Sequence, residues 1–459
     1  MSRSLSDADW RRLDRAVDGR VRRPGGVGFG EASTPFNKRF AGITPRGVVS
    51  VANTEDVRRA IEWARDAGVD VVVRCGGHSY AGHSVNTGLV IDLSAMNTVS
   101  ADGANGLVTV AGGARMAEVY AAIQPHEMAF ALGNGALVGI AGLTLGGGCG
   151  ATSHGLGLTA DALVETTLVT ADGQVLRCDA DTNADLFRAC RGGGGGNFGV
   201  NVSFTFQARP VTDCASYLLL WDRADAPKVF SSLQEIAREA PDEFAVRIGV
   251  SKAGESEGIV SAIGQHLGPA KELREILDPV LSLAQPIRMD LADRTFWEAK
   301  DDLLHETAEG AFAARTSIVT EPLPEEAIAT MLSFVDRLPG SGNPDGGGAA
   351  LFSWGGAINR VGATETAFAH RNALFLLSMD TSWAESDEPA VAEANLRWLA
   401  DLGDAMSPYV SDGAFQNFID PDLVDWRKAY YGVNYPRLKE IKERHDPDGV
   451  FTFAQSIGS

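Results

Sequence analysis

Three clusters of glycine punctuate the first half of the chain. They are Gly76-Gly77, the segment Gly146-Gly147-Gly148-Cys149-Gly150, and the run from Gly192 to Gly196. Glycine lets the backbone approach a ligand closely and turn its N–H groups toward it. Such a loop can bind pyrophosphate without basic side chains, so a dinucleotide suits this chain despite its net charge of −20. A turn or a bulge is the alternative for any one cluster, but three together favour a ligand-binding domain.

The third cluster continues to Gly199 and matches the letters of the dinucleotide pattern G-x-G-x-x-G. Its context is reversed, because a helical pattern at 184–191 precedes it and a strand pattern at 200–206 follows it. The Rossmann mechanism needs strand, loop and helix in that order. The second cluster matches loosely through Ala151, with no clear strand before it. A nicotinamide-binding Rossmann domain is therefore disfavoured, and the sequence contains no G-x-x-x-x-G-K-[ST] phosphate loop.

The composition is that of a globular protein, with 459 residues of which 44% are hydrophobic and 22% charged. This length predicts two large domains or up to four smaller ones. The excess of 60 acidic over 40 basic residues disfavours nucleic acid and membrane surfaces as partners. Five cysteines without a C-x-x-C pair are typical of a reducing compartment, so a cytoplasmic location is expected. Residues 1–23 lack the apolar core of a secretory signal, and the run 133–145 is too short to span a bilayer.

The residue pattern predicts mixed α and β structure throughout. A helix is expected from a cap at Asn53 or Thr54 to Gly68, and a buried strand at 69–73 leads into the first glycine cluster. Asp172-Gly173 between two β-rich runs predicts a hairpin. The second half lacks βαβ regularity, which indicates an α+β layer. In that half we predict strands at 244–250, 258–264, 350–358 and 373–379, helices at 226–240 and 389–406, and a flexible glycine-rich loop at 339–348 at the rim of a site.

Five stretches at both ends of the chain share a pattern with one known family. They are Arg74-x-Gly-Gly-His78-Ser-Tyr80-x-Gly82-x-Ser84, Gly139-x-x-Gly142-x-x-x-Gly146-Gly-Gly-x-Gly150, Arg191-Gly-Gly-Gly-Gly-Gly-Asn197-Phe198-Gly199, Tyr430-Tyr431-Gly432-x-Asn434-x-x-Arg437-Leu438, and Asp446-Pro447 through Gln455-Ser456-Ile457. Together they resemble the p-cresol methylhydroxylase (PCMH) and vanillyl-alcohol oxidase superfamily, and within it the berberine-bridge-enzyme-like oxidases.

The resemblance implies an α+β fold with three parts. Residues 1–211 are expected to form a PCMH-type FAD-binding domain of two subdomains, with its core at about 45–211. Residues 212–424 are expected to form a substrate-binding domain in which helices flank an antiparallel sheet. The segment 425–459 is expected to return to the FAD-binding domain.

The resemblance also implies that His78 bonds covalently to the 8α-methyl carbon of FAD. This chemistry needs a neutral imidazole held in position, which a rigid Gly-Gly turn can provide. Many relatives have a second link from a cysteine, but the matching position here is Gly135, so a single link is expected. Cys149 occupies a slot where relatives often carry an aromatic residue facing the flavin. It either lines the pocket or is a small buried thiol, and it is not expected to replace the second link.

The remaining cofactor positions follow from the same motifs. A metal site at His78 and His83 is not expected, because no nearby cysteine or carboxylate completes one. The positions that match FAD contacts are Arg74, Cys75, Gly76, Gly77, Ser79, Gly82, His83, Ser84, Val138, Gly139, Gly142, Gly146, Gly148, Cys149, Gly150, Val200 and Asn434.

Oxidation of a substrate by a flavin often needs a base for an O–H or N–H proton. Tyr80 matches a family position that lines the substrate site. Either Tyr430 or Tyr431 is expected to be a base with a lowered pKa, and a buried tyrosine bonded to backbone is the alternative. Relatives often read Tyr-x-Asn-Tyr where this chain reads Phe415-Gln416-Asn417-Phe418, so two hydroxyl groups are absent. Aromatic residues at 352 and 354 either stack on a substrate or belong to the core.

The activity that the resemblance implies is that of an FAD-dependent oxidase. It would take hydride from a small-molecule alcohol, amine or natural-product carbon, and O2 would reoxidise the flavin to give H2O2. Val138 falls at a position linked to oxygen access in relatives, and its small side chain favours an oxidase. The alternatives are a dehydrogenase with another electron acceptor and a redox-neutral flavin-containing cyclase or binding protein.

Overall fold

The computed structural model describes residues 5–254, 256–304 and 310–459. The first subdomain is built on a four-stranded sheet. The helix Thr54–Ala67 packs on it, and this helix has the predicted ends, with Asn53 capping its first turn and Gly68 in the left-handed conformation at φ +64°. Its apolar face, including Ile61 and Ala64, is buried in the core of the subdomain. The strand order is Arg20–Arg22, Gly47–Ser50, Leu89–Asp92 and Val71–Arg74, of which the first pair is antiparallel and the others parallel.

The second subdomain is a five-stranded antiparallel sheet. The hairpin predicted around Asp172-Gly173 is confirmed, because the strands on either side of it pair antiparallel. Val110, Phe204 and Phe206 form the centre of its core. The strand order is Val99–Asp102, Leu107–Ala111, Val200–Gln207, Leu163–Val169 and Val175–Cys178.

The second half of the chain forms a seven-stranded antiparallel sheet with helices on one face, so the predicted α+β class is confirmed. Residues along each strand alternate between the two faces. In the strand Phe244–Lys252, Val246 and Ile248 face the helices, whereas Arg247 points to the opposite face. The strand order is Arg288–Arg294, Cys214–Asp222, Ile259–His266, Phe244–Lys252, Gly347–Ser353, Phe375–Trp383 and Ala311–Val319, and the covering helices are Ala226–Glu239, Ala270–Leu283, Glu325–Asp336 and Pro389–Met406.

The glycine-rich segment predicted as a loop at 339–348 ends earlier than expected. Gly347 and Gly348 are the first residues of the strand Gly347–Ser353, which lies inside the sheet. A side chain at Gly348 would collide with the carbonyl oxygen of Val250 on the neighbouring strand. Glycine here therefore permits two strands to approach closely, which composition alone does not distinguish from a loop.

The C-terminal segment packs against the third glycine cluster of the first half. The buried ammonium group of Lys442 donates to the backbone carbonyl of Asn197 over 2.7 Å and pairs with Asp446 over 2.6 Å. The backbone N–H of Ile457 donates to the side chain of Asn197 over 2.8 Å. The remaining elements are the helices Asp7–Ala16, Phe29–Ser33, Met116–Ile123, Ile140–Leu145, Ser153–Leu156, Ala184–Ala189, Phe296–Leu303, Trp426–Tyr431 and Tyr435–His445, and the strand pair Met128–Ala129 with Arg209–Pro210.

Candidate active site

The loop that follows the strand Val71–Arg74 is held in a fixed shape. At its start, the buried guanidinium of Arg74 lies 3.8 Å from the carboxylate of Asp92 on the adjacent strand. Within the loop, the Ser84 hydroxyl donates to the carbonyl of Gly77 over 3.3 Å, and the Ser79 hydroxyl accepts from the N–H of His83 over 3.0 Å. Gly77 has φ +77°, which other residues rarely adopt. The loop is thus preorganised by its own serines and glycines.

This loop offers a row of unused hydrogen-bond donors. Within the part of the chain that the structure describes, the backbone N–H groups of residues 77–80 donate to no protein acceptor. Unpaired backbone donors inside a protein are rare. A further polar atom, Nε2 of His83, is buried without a partner. Successive free N–H groups in a glycine turn suit an anion such as pyrophosphate, so the loop fits the group that its sequence motif implies.

The structure brings the three glycine clusters together. A Cβ atom placed on Gly76 would lie 2.5 Å from the backbone nitrogen of Gly139, so these two loops touch through their backbones. The N–H of Gly194 donates over 2.8 Å to the carbonyl of Leu145, the residue before the second cluster, which joins the second and third clusters. The cradle is therefore continuous across both subdomains, and it requires glycine at the Gly76–Gly139 contact.

His78 has the properties of an uncharged nucleophile. Its imidazole stacks on the ring of Phe36, with centroids 3.9 Å apart and planes at 19°. Burial, with a smaller contribution from the charge of Arg115, lowers the pKa of His78 to about 4. Its ring nitrogens form no hydrogen bond with the described residues, although the side chain is only half-buried. The imidazole is thus neutral at physiological pH and free to bond to a ligand.

No thiol near the cradle resembles a second nucleophile. Burial raises the pKa of Cys149 to about 12 and that of Cys75 to about 11, so both are protonated thiols near neutral pH. Gly135 has no side chain, and a Cβ atom placed there would lie 2.9 Å from Cγ2 of Val138. Val138 itself is half-buried beside this position.

A series of aromatic rings leads from His78 to the face of the seven-stranded sheet that the helices leave uncovered. Phe36 contacts Phe312 with centroids 6.1 Å apart, and Phe312 meets the edge of Tyr80 at 4.8 Å. Tyr80 lies parallel to Phe418, with centroids 5.0 Å apart and planes at 3°. Phe352 completes the series, 6.4 Å from Phe418. We call Phe36, Tyr80, Phe312, Phe352 and Phe418 the ring series.

Two charged side chains lie on the same sheet face and were not identified from the sequence. Arg247 pairs with Phe352 in register, and its guanidinium lies 5.4 Å from the centroid of that ring. Asp380 lies on the strand Phe375–Trp383, two residues after Ser378. Burial raises the pKa of Asp380 to about 6, although the nearby charge of Arg247 lowers it. A charged residue inside an otherwise buried strand was the available signal, because such positions seldom carry a charge that has no partner.

Tyr430 and Tyr431 lie apart from the ring series, in the core of the second subdomain. The Tyr430 oxygen accepts from the backbone N–H of Asp420 over 2.9 Å, and the Tyr431 hydroxyl donates to Gln416 over 3.1 Å. Burial raises the pKa of both tyrosines. This direction is opposite to the lowered pKa that we predicted for a base, and both hydroxyls are engaged by the protein.

Three other predicted residues have structural contacts. The amide of Asn434 accepts from Arg188 over 2.6 Å and donates to the carbonyl of Ala363 over 2.8 Å, so it is committed to the protein rather than to the cofactor cradle. The side chain of Val200 is buried in the core of the first subdomain. Trp354 is also buried and stacks on Phe368, with centroids 5.9 Å apart, which supports the core interpretation of this tryptophan.

The segment Phe415–Phe418 connects the ring series to the cradle. The Asn417 amide nitrogen donates to the carbonyl of Gly142 over 3.0 Å, and its oxygen accepts from the N–H of Gly148 over 3.1 Å. Gln416 donates to the carbonyl of Gly192 in the third cluster. Asn417 and Gln416 therefore hold two glycine clusters in position while Phe418 faces Tyr80, a role that the sequence pattern did not reveal.

The fold and the cradle define a flavoprotein of the two-domain PCMH type, and comparison with known families agrees. Residues 45–179 match the family described as "FAD binding domain", and residues 414–458 match the family described as "Berberine and berberine like". The chain belongs to the berberine-bridge-enzyme-like FAD-linked oxidoreductases, as the sequence motifs predicted. It is thus an FAD-dependent oxidoreductase.

Similarity to individual proteins extends over nearly the whole chain. An uncharacterized FAD-linked oxidoreductase of Bacillus subtilis, YgaK, is 32% identical over 94% of this chain and 94% of its own length. The structure of Physcomitrella patens BBE-like 1 is 27% identical and superposes with a TM-score of 0.89 over 98% of each chain. Glucooligosaccharide oxidase from Acremonium strictum is 26% identical with a TM-score of 0.88 over 98% of this chain and 99% of its own, and its title names a 6-S-cysteinyl, 8α-N1-histidyl FAD.

Across the described ranges, no group of three or more His, Cys, Asp or Glu residues is arranged to hold a metal ion. None of the helices in those ranges combines the length and the apolar character needed to cross a bilayer.

Proposed function

We propose that this protein is an FAD-linked oxidase of small molecules, with the flavin attached through His78 alone. The observation that carries the proposal is the neutral, unpaired imidazole of His78 beside the free N–H groups of residues 77–80. The link named for glucooligosaccharide oxidase supports a histidyl bond at this motif. When bound, FAD supplies a two-electron acceptor that takes hydride from a substrate carbon and passes the electrons to O2.

The chain's own residues would bind and orient the cofactor. The N–H groups of residues 77–80 would donate to its pyrophosphate, and the contact between Gly76 and Gly139 would let the backbone approach it. His78 would form the single covalent link, because Gly135 has no side chain and burial keeps Cys149 protonated. The remaining motif residues would complete the cradle through their backbones.

The ring series would form the wall of the substrate site and exclude water from it. The Tyr80 hydroxyl has no partner among the described residues, so it is available to orient a polar group of the substrate. We propose Tyr80 as the tyrosine that contacts substrate, in preference to Tyr430 and Tyr431, whose hydroxyls are used by the protein. The small side chain of Val138 beside Gly135 supports access for O2.

The proposal is tested by acid precipitation of the purified protein and of His78→Ala. Wild-type protein should stay yellow after denaturation, and the variant should release all of its flavin to the supernatant. Substrate-reduced wild type should release one H2O2 for each turnover in air. A colourless wild-type pellet would refute the covalent link, and reoxidation that is slow in O2 but fast with an artificial acceptor would show a dehydrogenase.

A further inference from the structure

Arg247 and Asp380 form an incomplete pair on the sheet face that continues the ring series. Both lie on the uncovered face, because Arg247 pairs with Phe352, Phe352 pairs with Leu376, and Asp380 is four residues beyond Leu376. Their charges influence each other, yet no ion pair within 4.0 Å and no hydrogen bond joins them or ties either one to another described residue. Two half-buried opposite charges without partners are costly unless something else satisfies them.

The surface between these two charges is formed by small residues. Its residues are Gly249, Ala350, Gly348 and Ser378, which lie on neighbouring strands and have little or no side chain. The Arg247 side chain lies along its strand, because Nη1 would be 2.8 Å from a Cβ atom placed on Gly249. The guanidinium therefore extends over this floor in the direction of Asp380, and the ring series borders the same space.

The walls and the charges restrict what can bind here. Aromatic rings at Tyr80, Phe352 and Phe418 favour a flat apolar body, and they offer few partners for the many hydroxyls of a sugar. Arg247 can only donate hydrogen bonds, and an ionised Asp380 can only accept them. Because the two charges cancel, a ligand with one acceptor and one donor satisfies both without a net charge of its own. A second carboxylate, Asp345, lies near enough to influence Asp380 and disfavours an anion further.

We propose that Arg247 and Asp380 select an uncharged, planar aromatic substrate that presents a carbonyl oxygen to the guanidinium and a hydroxyl group, across the ring, to the carboxylate. The two charges lie on strands separated by the strand Gly347–Ser353, and the small residues between them leave room for a ring. This substrate class rests on the proposed oxidase function, since it places the molecule against Tyr80 and Phe418. The two residues determine specificity and are separate from the cofactor link at His78.

The test measures binding by calorimetry, which needs no turnover. The probes are para-hydroxyacetophenone, acetophenone without the donor, phenol without the acceptor, para-hydroxybenzoate as an anion, and cellobiose as a sugar. We expect para-hydroxyacetophenone to bind at least ~10-fold more tightly than either truncated probe, because each lost partner leaves one of the two charges unsatisfied. Tighter binding of para-hydroxybenzoate or cellobiose would overturn the inference.

Variants assign the effect to the two residues. Arg247→Met should remove the advantage of para-hydroxyacetophenone over phenol, and Asp380→Ala should remove its advantage over acetophenone. Arg223→Met and Asp336→Ala, which break an ion pair of 2.9 Å elsewhere in the same domain, are the matched controls. They should change neither of the two affinity ratios, para-hydroxyacetophenone to phenol and para-hydroxyacetophenone to acetophenone. Unchanged ratios in the Arg247 and Asp380 variants would contradict the proposal.

A third variant tests the proposal if Arg247→Met or Asp380→Ala does not fold. Gly249→Ala retains both charges but forces the guanidinium away from its position, and it should weaken carbonyl recognition selectively. Acid precipitation of every variant separates the two proposals. Flavin retained with altered ratios supports both, whereas flavin retained with unaltered ratios contradicts the substrate class alone. Flavin lost from wild type contradicts the proposed cofactor link alone.

Discussion

The imidazole of His78 lies nearly parallel to the ring of Phe36, which covers one of its faces at a centroid distance of 3.9 Å. Phe36 is not part of the glycine motif, and its neighbour Asn37 is fixed by hydrogen bonds to the carbonyls of Tyr80 and Phe312, each of 3.0 Å. The orientation of the His78 imidazole is therefore set by a segment that lies before the first glycine cluster in the chain.

Replacing Phe36 should impair attachment of the flavin more than its binding. In Phe36→Ala the imidazole loses its stacking partner, so we expect the fraction of flavin that precipitates with acid-denatured protein to fall severalfold, while total FAD after gel filtration changes little. Phe352→Leu, which alters the ring series away from His78, is the control and should attach flavin normally. Equal attachment in both variants would mean that stacking has no part in positioning His78.

Tyr430→Phe should lower stability and leave the chemistry intact. The change removes the oxygen that accepts from the N–H of Asp420 and leaves that buried donor unsatisfied, at a cost of about 1–3 kcal/mol. Urea unfolding should show this loss, and kcat and its pH profile should match wild type. A fall in kcat of a hundredfold or more with unchanged stability would instead identify Tyr430 as the base.

The free energy of unfolding should decline in acid, in part because His154 is buried in its uncharged form. Burial lowers the pKa of His154 to about 4, and its Nδ1 lies 2.9 Å from the carbonyl of Asp242. Because the pKa of His154 is lower in the folded state, the unfolded chain takes up the proton first as the pH falls. The contribution of neutral His154 to the free energy of unfolding is therefore complete above pH 6.5 and is lost as the pH falls toward 4. Unfolding at pH 7.5 and pH 5 should show that His154→Gln loses about 2 kcal/mol less than wild type over this interval. An equal loss in both proteins would contradict the shift.

Asp380 should give the opposite pH dependence, because it destabilises the folded protein at high pH, and Asp380→Asn should remove this effect. Burial raises the folded-state pKa of Asp380 to about 6, so ionisation destabilises the native state as pH rises from 4 to 6 and above. The variant should therefore be more stable than wild type at pH 8, by at most about 3 kcal/mol, and equal to it at pH 4. Melting temperatures at the two pH values provide the measurement. A variant that is less stable at pH 8 would show that Asp380 is satisfied within the protein.

Asn417→Ala should loosen the cofactor cradle. The substitution removes the bonds to Gly142 and Gly148, so we expect FAD to bind about tenfold more weakly in a His78→Ala background, where binding is reversible. Asn359→Ala, which removes one 2.8 Å bond to Ala373 at the surface, is the control and should leave FAD affinity unchanged. Unaltered FAD affinity in the Asn417 variant would show that this residue does not help to hold the cradle.

The fold could be predicted well from the sequence because its signals are local. Asn53 and Gly68 mark the ends of one helix, Asp172-Gly173 marks a hairpin, and the glycine clusters mark the cradle. The short strand–strand approach at Gly348 was mistaken for a loop, since composition does not show which backbone faces a glycine. The contact between Gly348 and Val250 joins two strands that are far apart in the sequence, so local patterns could not reveal it.

The site was predictable only in part. His78 and Tyr80 could be proposed from the sequence because they belong to one contiguous motif. Arg247 and Asp380 come together only when the strands pair, so their proximity depends on register over distant segments. The bond between Tyr430 and Asp420 could not be predicted for a related reason, because it is formed by a turn that the local pattern does not encode.

The most direct test of the central claim is peptide mapping of the holoprotein by mass spectrometry. After digestion we expect one flavin-modified peptide, which contains both Cys75 and His78, with fragmentation placing the flavin on His78, and an unmodified peptide for Cys149. Flavin mass on a cysteine, or on no peptide at all in protein that binds FAD, would contradict the single histidyl link.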